Sequence, residues 1–375
     1  MKVPFNRPFI TRTSLAHIRK ALQQGHLSGD GPFSKRCHAW LEKNTGCERA
    51  FLTHSCTGAL EMAAILAGIG PGDEVILPSY AFVSTANAFV LRGGVPVFVD
   101  IRPDTLNLDE TKLERALTRK TRAIVAMHYG GVSCEMDTIL AFAKKHRLFV
   151  IEDAAQGIGC AYKGRPLGSL GDFGAISFHE TKSIISGEGG ALLLRDRRFV
   201  ERAEMVREKG TDRSRFFRGQ TDKYTWRDIG SSYAPSDILA AFLWSQFGEA
   251  GQIIEKRMAL WKKYHQAFAG LEKKGRLRRP VIPAGCRHGA HLYYLILPTQ
   301  KKRDRFIHET NRRGLHTVFH YVPLHNSPEG RRVGRVAGTM KNTVDLSARL
   351  VRLPLWIGLE KQQDRVLDEM MLLLS

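Results

Sequence analysis

The sequence predicts an α/β chain with a mixed, mostly parallel central sheet sandwiched by helices and a smaller C-terminal α+β domain, and three observations predict it. The first is a series of short apolar runs between about Ala50 and Leu194: DEVILPSY, VPVFVDI, TRAIVAMHY, RLFVIEDAA, GAISFHE and GALLLRD. Runs without polar alternation suit strands covered on both faces of a parallel sheet. The second is the helical spacing between them. TGALEMAAILAGIG is apolar at that spacing and stops at a Gly-Ile-Gly-Pro-Gly sequence, while MDTILAFAKKHRL places basic residues in its last turn, where they complement the helix dipole. The third is a change of character after a helical stretch predicted from Ile238 to Phe268. HLYYLILP, HTVFHYVPLH and the terminal KQQDRVLDEMMLLL then read as the smaller unit. The predicted boundary lies near Gly251, giving a large domain over 1–250 that includes the N-terminal segment and a small domain over 251–375.

Charge narrows the function classes less than it first promises. The 57 basic and 37 acidic residues leave a net charge of +20, which fits a nucleic-acid binder, a membrane-surface protein or an enzyme for anionic substrates. The basic residues lie in short scattered groups such as Lys301 to Arg305 and Arg276 to Arg279, without zinc-finger, RNP-type or helix-turn-helix patterns. A solvated surface is the expectation, with no nucleic-acid partner. The six cysteines are far apart with no CxxC pair, so neither a zinc site nor a disulfide framework is expected. MKVPFNRPFI is broken by Pro4 and Pro8 and carries no apolar leader core, and no stretch approaches the ~18 apolar residues of a membrane span. A cytoplasmic protein without membrane insertion is expected.

Four positions call for chemistry. In RLFVIEDAAQ an apolar strand runs straight into Asp153, and the carboxyl ends of strands are where open α/β sheets place their ligands; a helix cap is the competing reading. In THSCTGALEMAA, Ser55, Cys56 and Thr57 open an apolar helix whose free N–H groups favour a phosphate, or are merely capped. Tyr80 and Phe82 follow the strand EVILP and read either as core or as rings lying on a planar ligand. Lys182 sits in SFHETKSIISGEGG between an apolar run and a glycine-rich turn, exposed or held for imine chemistry. Phosphate site, aromatic face, carboxylate and lysine together match pyridoxal 5'-phosphate. A dinucleotide enzyme fits poorly, because no G-x-G-x-x-G follows a first strand.

Beyond these positions, ordered motifs run through nearly the whole chain: VPFNRP, SGDGPFSKRCHAWLE, CTGALEMAA, PGDEVILPSYAFVSTANA, HYGG, EDAAQ, SFHETK before GEGG, HYVPLH and a late LPL. With them the sequence resembles the sugar-nucleotide aminotransferases of fold type I, the aspartate aminotransferase-like class. The resemblance implies that Lys182 binds the cofactor as an imine and then shuttles the proton. It implies that Asp153 pairs with the pyridine nitrogen, Gln156 bonds the ring hydroxyl, Phe82 stacks on the ring, and Cys56, Thr57 and Ser177 hold the phosphate. Ser232 stands in GSSYAPSD where much of the family has an asparagine that reaches the neighbouring subunit's cofactor phosphate, which implies a homodimer with shared sites. Arg218, with Arg7, Arg215 and Lys223, is a candidate for the substrate's diphosphate. His320 and Tyr321 in HYVPLH would line the sugar-nucleotide entrance; no metal is expected at His320 and His325, since the segment offers two imidazoles and no acidic third ligand. SFHETK and REKGTDRSRFFRGQTDKYTWRDIGSSY narrow the likeness to members that use L-glutamate to aminate a dTDP-linked 4-keto-6-deoxyhexose at C4. A GDP- or UDP-linked ketosugar, amination at C3, and a cofactor-binding regulator without turnover remain as alternatives.

Overall fold

The structure, a computed structural model, describes residues 2–374. Its strands in chain order are β1 (Arg49–Thr53), β2 (Glu74–Pro78), β3 (Val95–Val99), β4 (Thr121–Met127), β5 (Phe149–Asp153), β6 (Ala161–Tyr162), β7 (Arg165–Pro166), β8 (Phe173–Ser177), β9 (Gly190–Leu194), β10 (Cys286–Arg287), β11 (Tyr293–Ile296), β12 (Arg335–Val336) and β13 (Leu350–Leu353). Eight of them form the central sheet in the order β1-β9-β8-β5-β4-β2-β3-β12. Pairing is parallel from β8 to β12 and antiparallel where β9 meets β8 and β1. All six apolar runs named above are strands of this sheet.

Both faces of the sheet are covered, which is why the runs lack polar alternation. Val75 and Leu77 of β2 join one core with Phe89, Val125, Phe173 and Leu192, while Ile76 joins the other with Val97, Ile124, Ile176 and Leu193. The two-residue period of a strand sends neighbours to opposite faces. The same rule separates Glu152 from Asp153. Fully buried Glu152 accepts hydrogen bonds from the N–H groups of Gly168, Leu170 and Gly171 at 2.8, 2.6 and 2.7 Å, and lies 2.9 Å from His128 Nε2. The Cys134 N–H donates to His128 Nδ1 at 3.1 Å, so the ring proton sits on Nε2 and completes the carboxylate's donors. Glu152 thereby ties the 167–171 turn to the sheet and leaves its neighbour to point the other way.

A further core gathers Trp261, Tyr264, Phe268, Tyr293, Phe306, Leu353 and Val366, under the antiparallel pair of β11 and β13 and the helix Gln363–Leu374. Val3 belongs to it, bonded to Gly314 and His316, so the chain's start is packed among its last third. In the other direction, β12 leaves that third to extend the large sheet beside β3.

The helix predicted from Ile238 to Phe268 is two helices, Asp237–Gly248 and Ala250–Ala267, parted at Glu249 with φ −113° and ψ 10°. Gly248 and Gly251 flank the break, and each weakens a helix by ~1 kcal/mol relative to alanine. The Glu249 N–H turns to the Gln246 carbonyl, three residues back, which tightens the last turn and changes the chain's direction. Among the described residues, no helix is long and apolar enough to cross a membrane.

Candidate active site

Strand register assembles the site before any side chain is considered. Ser177 at the end of β8 and Thr53 at the end of β1 both lie opposite Gly190, the first residue of β9. Asp153 closes β5 one strand away, in register with Ala175. The carboxyl ends of β1, β5 and β8 thus share one edge of the sheet, the edge at which such folds bind ligands.

At that edge the helix Cys56–Leu66 begins. Ser55 caps it, its Oγ accepting the Gly58 N–H at 3.0 Å, and the first amides of the helix have no acceptor within it. Cys56 and Thr57 therefore present N–H groups and a positive dipole end beside Gly190, the strand partner of buried Ser177. The Thr57 hydroxyl donates to Ser84 at 2.8 Å. Burial pushes the Cys56 thiol well above its ordinary range, with Asp153 adding to the effect, so it stays an uncharged S–H. Gly190 makes this close packing possible: a Cβ there would lie 2.4 Å from the Cys56 nitrogen and the Ser55 carbonyl carbon. Gly190→Ala is expected to shift the helix start, cost ~1–3 kcal/mol by overpacking and weaken anion binding there; denaturant unfolding and phosphate titration measure both.

Asp153 is buried, its Oδ2 accepting the Thr85 hydroxyl at 2.6 Å and its Oδ1 the Ala155 N–H at 3.1 Å. Gln156 accepts the Gly130 N–H at 2.6 Å and donates to the Tyr321 hydroxyl at 3.2 Å. Half-buried Lys182 lies in the turn after β8, where its N–H bonds the His179 carbonyl at 2.9 Å. Its amine forms no hydrogen bond or ion pair with a described residue. Burial holds that amine below the usual lysine range, Cys56 and Asp153 pull it back up, and Arg352 lowers it further. An amine so placed reaches its neutral, nucleophilic form at lower pH than a surface lysine.

The HYVPLH segment closes the site from the far part of the chain. The Tyr80 hydroxyl donates to the His320 carbonyl, and Tyr129 lies within hydrogen-bond reach of His320 Nδ1 at 2.9 Å. Burial, with Arg352 and Lys182 nearby, depresses the His320 pKa well below the usual range, so the ring is neutral. His325 is engaged elsewhere, 2.6 Å from the Ser79 hydroxyl. Phe82 ends the extended segment before the helix Val83–Val90, 56% exposed, its ring 6.3 Å from that of Tyr321.

Lys182, Asp153, Gln156, Cys56, Thr57, Ser177, Phe82, His320 and Tyr321 are thus brought to one edge of the sheet. Ser232 is not; it is exposed and bridged to Glu208. Arg218 pairs with Glu204 at 2.8 Å and lines a separate cavity of about 400 Å³ together with Asp30, Lys35 and Arg207. Arg215 pairs with Glu201, Arg7 lies over Trp356, and Lys223 is exposed. Sequence reasoning missed Thr85, which donates to Asp153, and two basic groups electrostatically close to Lys182, His291 and Arg352. Only Arg352 left a trace, as a cation interrupting the apolar strand LVRL.

The residues fit an aldehyde cofactor with a phosphate. A helix start packed against a glycine offers the anion site, and a primary amine kept free of ion pairs awaits the carbonyl. The fold is shared with the solved aminotransferase TlmJ of Streptoalloteichus hindustanus, with a TM-score of 0.91 at 28% identity, covering 100% of this chain and 99% of that one. Residues 8–371 match the DegT/DnrJ/EryC1/StrS aminotransferase family, and the chain belongs to it. GDP-perosamine synthase of Caulobacter vibrioides is 35% identical over 316 residues, 83% of this chain and 82% of that protein. UDP-4-amino-4-deoxy-L-arabinose–oxoglutarate aminotransferase of Shewanella sediminis is 30% identical over 366 residues, 94% and 93% of the two chains. The protein is a pyridoxal-phosphate-dependent sugar aminotransferase.

Proposed function

We propose that the enzyme moves the amino group of L-glutamate to C4 of dTDP-4-keto-6-deoxy-D-glucose, giving dTDP-4-amino-4,6-dideoxy-D-galactose and 2-oxoglutarate. The observation that carries the substrate is the segment Arg207 to Tyr233, through which the chain resembles the transaminase that makes this sugar for enterobacterial common antigen. Here that segment holds a helix Arg213–Phe217, and exposed Phe217, Tyr224 and Trp226. It is pinned by Asp212, which accepts the Thr225 N–H at 2.7 Å and pairs with Arg227 at 2.8 Å. The Shewanella relative's name contains both oxoglutarate and a 4-amino-4-deoxy sugar, which supports the donor and the position aminated.

When bound, the cofactor supplies an electron sink that lets the donor's Cα–H bond release its proton and the nitrogen change carrier. Lys182 Nζ takes that proton and, in the second half-reaction, delivers one to C4 of the sugar. Asp153 holds the pyridine nitrogen protonated, and Thr85 and the Ala155 N–H fix the carboxylate's direction. Gln156 orients the ring hydroxyl from a position set by Gly130 and Tyr321. The amides of Cys56 and Thr57, with Ser177, hold the phosphate, while Phe82 covers a ring face. His320 and Tyr321 border the sugar's entrance. On this reading, two subunits share their sites, Ser232 serving the partner's, Arg218 is a ligand of the sugar's diphosphate, and the chain divides into domains over 1–250 and 251–375.

The test is the visible absorption of the holoenzyme. L-Glutamate is expected to bleach the cofactor band, dTDP-4-keto-6-deoxy-D-glucose to restore it, and NMR of the product to show the new amine at C4 with galacto configuration. A band that glutamate bleaches and this ketosugar leaves bleached, while a GDP- or UDP-linked ketosugar restores it, would replace the proposed substrate.

A further inference from the structure

The net charge of +20 is not spread evenly along the chain. Residues 251–375 hold 24 of the 57 basic residues and 10 of the 37 acidic ones, so one third of the chain carries +14, an asymmetry that marks a surface for an anionic partner. Part of this charge surrounds a notch of about 270 Å³ between the start of the helix Gln300–Arg312 and the end of the helix Gln363–Leu374. Leu297, Phe306, Leu372, Leu373 and Leu374 make it apolar, and Arg276, Lys302 and Arg305 stand around it. Leu372 is 68% exposed. Lys301 adjoins Lys302, and Lys273 and Lys274 adjoin Arg276, all of them exposed. Among the described residues none of these cations pairs with a carboxylate. The acids nearby are engaged by other bases: Glu309 by Arg312 at 3.3 Å, Asp304 by Arg303 at 3.1 Å and Glu369 by Arg313 at 2.7 Å.

Stability of the free protein does not account for this arrangement. The first turn of the helix Gln300–Arg312 holds Lys301, Lys302 and Arg303 and no acid, against a helix dipole that favours negative charge there. Like charges without counter-ions repel one another, and a leucine exposed among them gains nothing from water. An anionic surface laid over the patch removes both costs. We infer that this face of the C-terminal third docks the enzyme on an anionic membrane surface, the cations over lipid phosphates and Leu372 in the headgroup layer. A projecting apolar side chain ringed by cations is the chemistry of interfacial membrane contact. The notch is smaller than the ~300–1,000 Å³ of a site that encloses a ligand, and it offers no row of pockets for the successive anchors of a partner helix. Nor is an aromatic side chain exposed around it for nucleic-acid bases to stack on, among the described residues. The contact is peripheral, since no described helix is long and apolar enough to cross the bilayer. It is independent of which sugar the enzyme aminates.

The test is sedimentation of the holoenzyme with phosphatidylcholine vesicles that do or do not contain phosphatidylglycerol. Binding is expected to the anionic vesicles alone, and to fall as salt is raised, because screening shortens the reach of exposed charges. Each cation near such a surface contributes about fivefold to partition, so the triple variant Lys301→Gln, Lys302→Gln, Arg305→Gln is expected to bind ~100-fold more weakly. Leu372→Ser is expected to lose ~10-fold, the apolar part of the contact, with the salt dependence kept. Both variants are expected to keep the parent's turnover and thermal unfolding, which separates docking from folding and catalysis. The double variant Arg119→Gln, Lys120→Gln, which removes exposed cations from the turn before β4, is expected to bind as the parent does. Equal loss per charge in that variant would make the binding a matter of net charge and overturn the inference. So would equal binding to both kinds of vesicle, or binding to neither. Capture by polyglutamate or duplex DNA, with none by anionic vesicles, would overturn it in favour of an acidic protein or a nucleic acid.

Discussion

Replacing Lys182 by alanine is expected to lower turnover by ~10²–10⁴-fold for the lost proton transfer, the loss of the cofactor's imine adding to it, and to leave the fold at least as stable as the parent. Both halves of the expectation come from the same environment. The amine is drawn below its ordinary pKa chiefly by burial, and no described residue bonds it. Desolvation without a partner is a cost to the folded state, so truncation to a methyl group removes a penalty rather than a contact. Activity measurements alone would confuse loss of chemistry with loss of structure; thermal unfolding beside them separates the two. A small amine such as methylamine, supplied at high concentration, is expected to restore part of the rate by standing in for Nζ. Parent-level turnover in Lys182→Ala would remove the lysine from the mechanism.

Asp153→Asn carries the second-largest expected effect, a fall in turnover of ~10²–10³-fold, the size associated with losing one preorganised charge at a developing electronic centre. The exchange is close to isosteric. An asparagine oxygen still accepts the Ala155 N–H, and its amide can donate to the Thr85 hydroxyl in place of the bond now made at 2.6 Å. Stability is therefore expected to change little while the charge disappears. Cofactor affinity is expected to fall with the rate, because a neutral side chain no longer rewards a protonated pyridine nitrogen. Steady-state rate, cofactor titration and denaturant unfolding on the one variant check the three statements. Unchanged turnover would place the pyridine nitrogen's partner elsewhere.

Much of this site was legible because it is built from strand ends. Asp153 and Gln156 follow the run FVIE without a break, and Ser177 and Lys182 bracket the end of GAIS and the turn beyond it. In a parallel sheet such termini gather at one edge whatever the loops between them do. Thr85 was not legible, since its role depends on meeting Asp153, 68 positions away. The strand Arg335–Val336 escaped for another reason: two residues carry no period, and only the edge of β3 gives them a place. The predicted helix from Ile238 to Phe268 ran through Glu249 because its apolar spacing continues on both sides of the break, and the glycines at 248 and 251 were the signal against it. Gly190 looked like an ordinary turn residue beside Gly189; its need for a missing Cβ appears only when β9 is set against the start of the helix Cys56–Leu66.

Borohydride reduction of the purified holoenzyme, followed by peptide mass mapping, tests most directly the claim that Lys182 carries the cofactor. The account predicts the reduced pyridoxyl phosphate on the peptide that contains Lys182 and on no other. Label on a different lysine, or a holoenzyme whose cofactor reduction leaves every lysine unmodified, would contradict it.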